Sequence, residues 1–161
     1  MNLHIDPITD SEEIPFDLLE LADPSREQIE LYLNTGTCYI AKSDSQVVGV
    51  LVLVQVGAGT VEIKNIAVKE SEQGKGYGKA LLQYSDKTSR ELGFEKLLIG
   101  TGNSSLAQLA LYQREGFEID RVVKNFFVKN YAEPIFENGI QCKHMVILVK
   151  DLTTKPNGAR L

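Results

Sequence analysis

The sequence predicts an α/β fold: one mixed β-sheet with helices packed on its faces. Three observations predict it. Strand-like and helix-like segments follow each other in the order β, α, α, β, β, β, α, β, α, β, β. A glycine-rich loop joins a strand to a helix. The 161-residue chain, 43% hydrophobic, is long enough for one domain with a sizeable core. No repeat or internal linker interrupts it, so residues 1–152 read as a single domain and residues 153–161 as a frayed tail.

Leu3–Ile5 begins a short strand that Asp6-Pro7 ends. Ile14 to Ala22 places apolar residues at 14, 18, 19, 21 and 22, a helical spacing, and Asp23-Pro24 breaks it. Ser25 then caps a second helix with Gln28 at the capping-box position, and Gly36 closes it. Thr37–Lys42 reads as a strand, Ser43–Ser45 as a turn and Gln46–Val56 as a long valine-rich strand. Gly57-Ala-Gly59 turns into a strand over 61–68. A helix from Lys79 to Leu92 carries Leu81, Ser85, Thr88 and Leu92 on one side, with Gly93 as its stop. Lys96–Gly100 is a strand, and Ser105 opens a helix to Arg114 with Gln108 as capping-box partner. Glu118–Val123 and Met145–Asp151 are the last two strands, separated by a polar and aromatic loop.

Gln73-Gly-Lys-Gly-Tyr-Gly-Lys79 is the stretch that carries chemistry. Strand, glycine turn and helix start together make an anion site, because glycines admit a phosphate close to the backbone and free helix-start amides point at it. A nucleotide-hydrolase loop is excluded: Gln73 occupies its first glycine position and Ala80 its magnesium-binding hydroxyl position. A dinucleotide fingerprint is excluded too, since Lys79 or Leu81 would have to be glycine.

Composition narrows the function classes. Charged residues are 24% of the chain, an ordinary globular balance, and no apolar run approaches the ~20 residues that cross a bilayer. Met1–Asp6 lacks the basic-then-apolar pattern of a signal peptide, and two cysteines, Cys38 and Cys142, read as reduced core thiols, so a cytoplasmic protein is expected. His4 and His144 stand far apart, so no metal site is expected. The net charge of −5 is uneven: residues 1–36 carry −8 and the remainder +3. An acidic chain without a clustered basic face argues against nucleic acid, while Lys69, Lys75 and Lys79 suit a polyphosphate.

Gln73-x-x-Gly76-x-Gly78 resembles the Q/R-x-x-G-x-G/A signature of the GNAT N-acetyltransferase superfamily, and the order of elements resembles that fold over nearly the whole chain. The segment Glu133-Pro-Ile-Phe-Glu-Asn-Gly139 is similar to its small bacterial members. The resemblance implies a mostly antiparallel sheet with one splayed parallel pair and helices on both faces. It implies an enzyme that moves an acetyl group from acetyl-CoA to an amine, without a metal. The amides of Gly74, Lys75, Gly76, Tyr77, Gly78 and Lys79 would hold the pyrophosphate, with Gln73 at the family's Gln/Arg position. Ile66, Ala67 and Val68 would pair with pantetheine, an N–H near Ile66 would polarise the thioester, and Asn103 would also touch pantetheine. Leu111-Tyr112-Gln-Arg-Glu-Gly116-Phe117 resembles the family's L-Y-x-x-x-G-F pattern, which makes Tyr112 the general acid for the thiolate, or else a core tyrosine under Phe117.

The base is open at this level. By strand alternation Glu62, Lys64 and Ile66 share one face. Glu62 then either takes the amine proton or is a surface residue paired with Lys64. Carboxylates on the first two helices, together with Glu133, Glu137 and four aromatics in the late loop, suit a small cationic amine, polyamine-like or aminoglycoside-like. Acetylation of a peptide or protein amine and a non-catalytic acyl-CoA sensor are the alternatives. The aromatic loop also makes a homodimer contact plausible.

Overall fold

The computed structural model describes residues 2–155. Its elements run β1 (Leu3–Pro7), α1 (Phe16–Ala22), α2 (Arg26–Thr35), β2 (Thr37–Ser43), β3 (Gln46–Gly57), β4 (Thr60–Val68), α3 (Tyr77–Glu91), β5 (Lys96–Gly102), α4 (Leu106–Arg114), β6 (Glu118–Val123), α5 (Phe126–Asn130), β7 (Ile135–Glu137), β8 (Ile140–Cys142) and β9 (Met145–Asp151). Seven strands form one sheet in the order β1-β2-β3-β4-β5-β9-β6. All neighbours are antiparallel except β4 and β5, as the family resemblance implies.

The two faces carry separate cores. Leu18, Leu19 and Ile29 of α1 and α2 pack on Cys38, Ile40, Val50 and Val52. Leu81 and Leu82 of α3 pack on the other face, with Leu51, Leu53, Leu97 and Ile99, and Tyr112 of α4 joins them. Each fully buried leucine here contributes roughly 1.5–3 kcal/mol. The buried side of α3 is Leu81, Leu82, Ser85, Asp86 and Ser89, while the expected Leu92 is 62% exposed because the helix ends before it. Asp86 ties this helix to the far strand: Lys150 Nζ lies 2.6 Å from its Oδ2, and Arg90 Nε donates to its Oδ1.

Pairing between β4 and β5 stops at Ile63↔Ile99. Beyond that point β4 keeps only β3, so the backbone of residues 64–68 has no β5 partner. A bulge falls at the same place: Val52 pairs with Asn65 and Leu53 with Ile63, leaving Lys64 as the extra residue. The bulge corrects the expected alternation. Val61 and Ile63 share the α3 face with Ile66 and Val68, while Ala67 packs on the α1–α2 side. Glu62 and Ile66 therefore lie on opposite faces.

The expected loop between the last two long strands is structured. It contains α5 and the β7–β8 hairpin, whose turn residues Asn138 and Gly139 both have positive φ, 56° and 72°. This is the Asn-Gly two-residue hairpin turn. The first residues of the expected tail are hydrogen-bonded: Thr153 N donates to Asp151 Oδ1 at 2.8 Å and Arg90 reaches the Thr154 carbonyl. The rest of that expectation, residues 156–161, lies outside the described residues.

Candidate active site

The glycine loop opens α3 two residues earlier than the sequence predicts. Gly76 is its N-cap, with φ +88°, and Gly74 has φ +79°. Both values favour glycine. Gly78 differs: it stands within the helix's first turn without a positive φ, and a Cβ there would meet only Leu111 Cδ2 at 3.8 Å and Val68 Cγ2 at 4.0 Å. The Gly78 backbone itself would therefore accept a Cβ. Ala80 N makes the first helical bond, to the Gly76 carbonyl at 3.1 Å. Among the described residues, the amides of Gly74 to Lys79 donate to no backbone acceptor. Tyr77 anchors the loop from below: its ring is buried and its hydroxyl reaches Ser43 Oγ at 3.2 Å.

A cavity of about 360 Å³ lies over this loop. Ile66, Ala67, Val68, Gln73, Gly74, Gly76, Tyr77, Gly78 and Lys79 line it, with Leu21, Gln108, Leu111 and Tyr112. It runs from the free amides along the stretch of β4 that has left β5 to the α4 tyrosine. The shape and donor set fit an elongated diphosphate-bearing thioester. Gln73 braces the loop, its Nε2 donating to the Val68 carbonyl at 3.1 Å.

Three predicted site residues stand apart from this cavity. Lys75 Nζ pairs with Glu72 at 2.6 Å. Glu62 pairs with Lys64 at 3.3 Å and lines neither this cavity nor its neighbour. Asn103 spends its side chain on the segment after the hairpin. Its Oδ1 accepts from Lys143 N at 2.8 Å and His144 N at 2.9 Å, and its Nδ2 donates to the Gln141 carbonyl at 3.1 Å.

A second cavity, about 390 Å³, adjoins the first and shares Leu21, Ala22, Ile66, Gln108 and Tyr112 with it. Tyr112 is therefore at the junction. Its ring is 6% exposed and packs against Phe117, centroids 6.3 Å apart. It is at once a core residue and a cleft residue, so the two sequence readings are not exclusive. Burial, and then the charge of Glu137, push its phenol well above the usual range, so it keeps its proton.

The second cavity carries three carboxylates, Glu20, Asp23 and Glu137, and one cation, Lys64. Of the carboxylates expected from the first helices, Glu20 and Asp23 reach it. Glu12 instead pairs with Lys42 at 2.6 Å, which with its Thr9 bonds pulls its carboxyl down to about 2. Asp23 is heavily bonded: Tyr131 OH donates to Oδ1 at 2.9 Å, Ser25 N to Oδ1 at 3.0 Å and Tyr32 OH to Oδ2 at 3.2 Å. Asn65 Nδ2 in turn donates to the Tyr32 hydroxyl at 2.9 Å.

The hairpin wall is set by close packing. A Cβ on Gly102 would come 2.3 Å from Cys142 Sγ, so β8 lies directly on the end of β5. Asn138 Nδ2 donates to the Ser104 carbonyl at 2.8 Å. The expected capping box of α4 does not form; the Ser105 hydroxyl instead donates to Glu137 Oε1 at 2.8 Å. Cys38 and Cys142 are buried as expected, and burial pushes the Cys38 thiol up to about 11. Among the described residues no helix is long and apolar enough to cross a membrane.

Sequence reasoning missed Gln108, Leu21 and Asn65 as cleft residues. Gln108 had a signal, since it stands one helical turn before Tyr112. Asn65 had a weaker one, a lone amide in an apolar strand.

The profile described as the acetyltransferase (GNAT) family matches residues 5–117. An uncharacterised N-acetyltransferase of Bacillus subtilis (strain 168), YvbK, is 50% identical over 137 residues, 85% of this chain and 88% of that protein. The crystal structure of a GNAT family acetyltransferase from Elizabethkingia anophelis with acetyl-CoA bound aligns with a TM-score of 0.92 at 48% identity, covering 93% of this chain and 98% of that one. An IAA acetyltransferase from Bacillus cereus ATCC 14579 aligns with a TM-score of 0.89 at 48% identity, covering 92% and 99%.

Proposed function

This chain belongs to the acetyltransferase (GNAT) family and is an acetyl-CoA-dependent N-acetyltransferase, and from that premise we propose that its acceptor is the primary amine of a small cationic molecule. One observation carries the reading: the cavity that meets the glycine-loop cavity at Tyr112 has three carboxylates on its walls against one lysine. Such a wall attracts a polyvalent cation and repels an anionic acceptor. The aromatic rings of Phe127 and Tyr131 on the same wall suit an ammonium group further.

In this reading the amides of Gly74 to Lys79 bind the diphosphate, helped by the positive end of α3. The edge of residues 66–68 that has left β5 accepts pantetheine as an added strand. An N–H near Ile66 holds the carbonyl oxygen, a contact worth ~3 kcal/mol of barrier in comparable sites. Tyr112, protonated and at the junction of the two cavities, gives its proton to the leaving sulfur. The Lys75 side chain and Asn103 act outside the cleft, Lys75 as a loop brace through Glu72 and Asn103 as a clasp on the hairpin.

The test is acetyl-CoA turnover, followed as free thiol, against polyamines, aminoglycosides, basic peptides and IAA, the compound by which the Bacillus cereus relative is described. Turnover highest with multiply charged small amines supports the reading. Turnover confined to peptides, or to an uncharged or anionic acceptor, contradicts it.

A further inference from the structure

We propose that Glu137, on the β7–β8 hairpin, is the base that takes the proton from the acceptor amine; this rests on the amine reading of the second cavity. Geometry leaves it as the free carboxylate at the reacting end. Glu62 is turned away by the bulge at Lys64 and is paired with that lysine. Glu20 is paired with Arg26 at 3.2 Å. Asp23 already accepts three hydrogen bonds, which occupy both of its oxygens. Glu137 accepts one, from Ser105 at 2.8 Å, on a single oxygen. Its second oxygen has no hydrogen-bond partner among the described residues.

Its position is built rather than incidental. Asn138 pins the hairpin turn to Ser104, Cys142 packs on Gly102, and Asn103 holds the backbone of residues 141–144. Three independent contacts thus place one carboxylate beside the start of α4, the helix that carries Tyr112. The groups around it are Tyr112, Ser105 and Cys142, with Glu20, Asp23, Lys64 and Tyr131 also lining the cavity. Glu137, Tyr112 and Cys142 line the same cavity.

The step balances as follows. The bound ammonium gives one proton to the Glu137 carboxylate and becomes a neutral amine. Its lone pair forms the C–N bond to the acetyl carbon while the C–S bond breaks. The departing sulfur takes the Tyr112 proton, and the second nitrogen proton returns to the Tyr112 oxygen. Glu137, an exposed residue, then releases its proton to solvent.

The experiment compares wild type with Glu137→Gln and Glu137→Ala on the best amine of the panel. Gln keeps an oxygen for Ser105 but cannot take a proton. We expect kcat to fall roughly 100-fold or more in both variants, with the acetyl-CoA Kd unchanged and part of the kcat of Glu137→Ala restored by added formate. A Glu137→Gln variant with wild-type kcat and only a raised amine KM overturns the assignment, because the carboxylate then merely attracts the cation. That result leaves the amine reading standing. A wild type that acetylates no amine in the panel overturns both.

Discussion

The hydroxyl of Tyr131 donates to the Asp23 carboxylate at 2.9 Å, joining positions 108 residues apart in the chain. Tyr131 follows α5, and Asp23 closes α1. The bond fastens the late segment to the first helices across the splayed sheet. Both residues line the second cavity.

Tyr131→Phe removes that fastening and keeps the ring. A hydrogen bond to a charged group is worth about 1.5–3 kcal/mol, so the midpoint of thermal unfolding should drop by several degrees. The acceptor KM should rise several-fold while acetyl-CoA affinity stays at the wild-type value. Titration calorimetry with CoA and steady-state kinetics with the amine separate the two.

Gly76 and Gly78 should respond differently to substitution. Val at Gly76 must adopt φ near +88°, which β-branched residues avoid, and the loop amides lose their aim. CoA binding to Gly76→Val should be undetectable by calorimetry. Gly78→Ala places a methyl at ordinary contact distance in a helical turn and should bind CoA within a few-fold of wild type. Equal loss in both variants would refute the distinction.

Asn103→Ala distinguishes a hairpin clasp from a pantetheine contact. The structure assigns all of its side-chain bonds to residues 141, 143 and 144. The expected result is a lower melting temperature and a raised acceptor KM, with an unchanged Kd for CoA. A weakened CoA Kd with normal stability would restore the pantetheine role.

Asp86 contributes stability that acid removes. Burial works against its charge, but the bonds from Arg90 and Lys150 outweigh that and hold its carboxyl below the ordinary 3.8. A carboxyl depressed in the folded state stabilises fully above its unfolded value, and the contribution fades as pH falls through the folded one. Asp86→Asn should therefore flatten the acid side of the stability–pH curve below about pH 4. At neutral pH it should cost ~3–5 kcal/mol, because two cations lose their buried partner. Denaturant unfolding at a series of pH values checks both.

The parts of this molecule that were legible in the sequence are those fixed by local chemistry. Ser25 does cap α2, its hydroxyl accepting from Gln28 N at 3.2 Å. The strand, glycine loop and helix around Gly76 could be read because glycine's φ freedom and a free helix start are local facts. Glu62 was misplaced because alternation holds only without a bulge, and the bulge at Lys64 arises where β4 leaves β5, a tertiary event. Ser105 looked like a cap, yet its hydroxyl serves Glu137, 32 residues away. The β7–β8 hairpin is a different kind of miss: Asn138-Gly139 is a strong local turn signal that the aromatic residues around it obscured.

The central claim is that the amides of residues 74–79 hold the diphosphate of CoA with its sulfur end at Tyr112. A crystal structure of the protein with CoA tests it most directly. The account predicts diphosphate oxygens about 2.7–3.2 Å from those amides and the sulfur within reach of the Tyr112 hydroxyl. Full occupancy of CoA at any other surface, with that loop left bare, would contradict it.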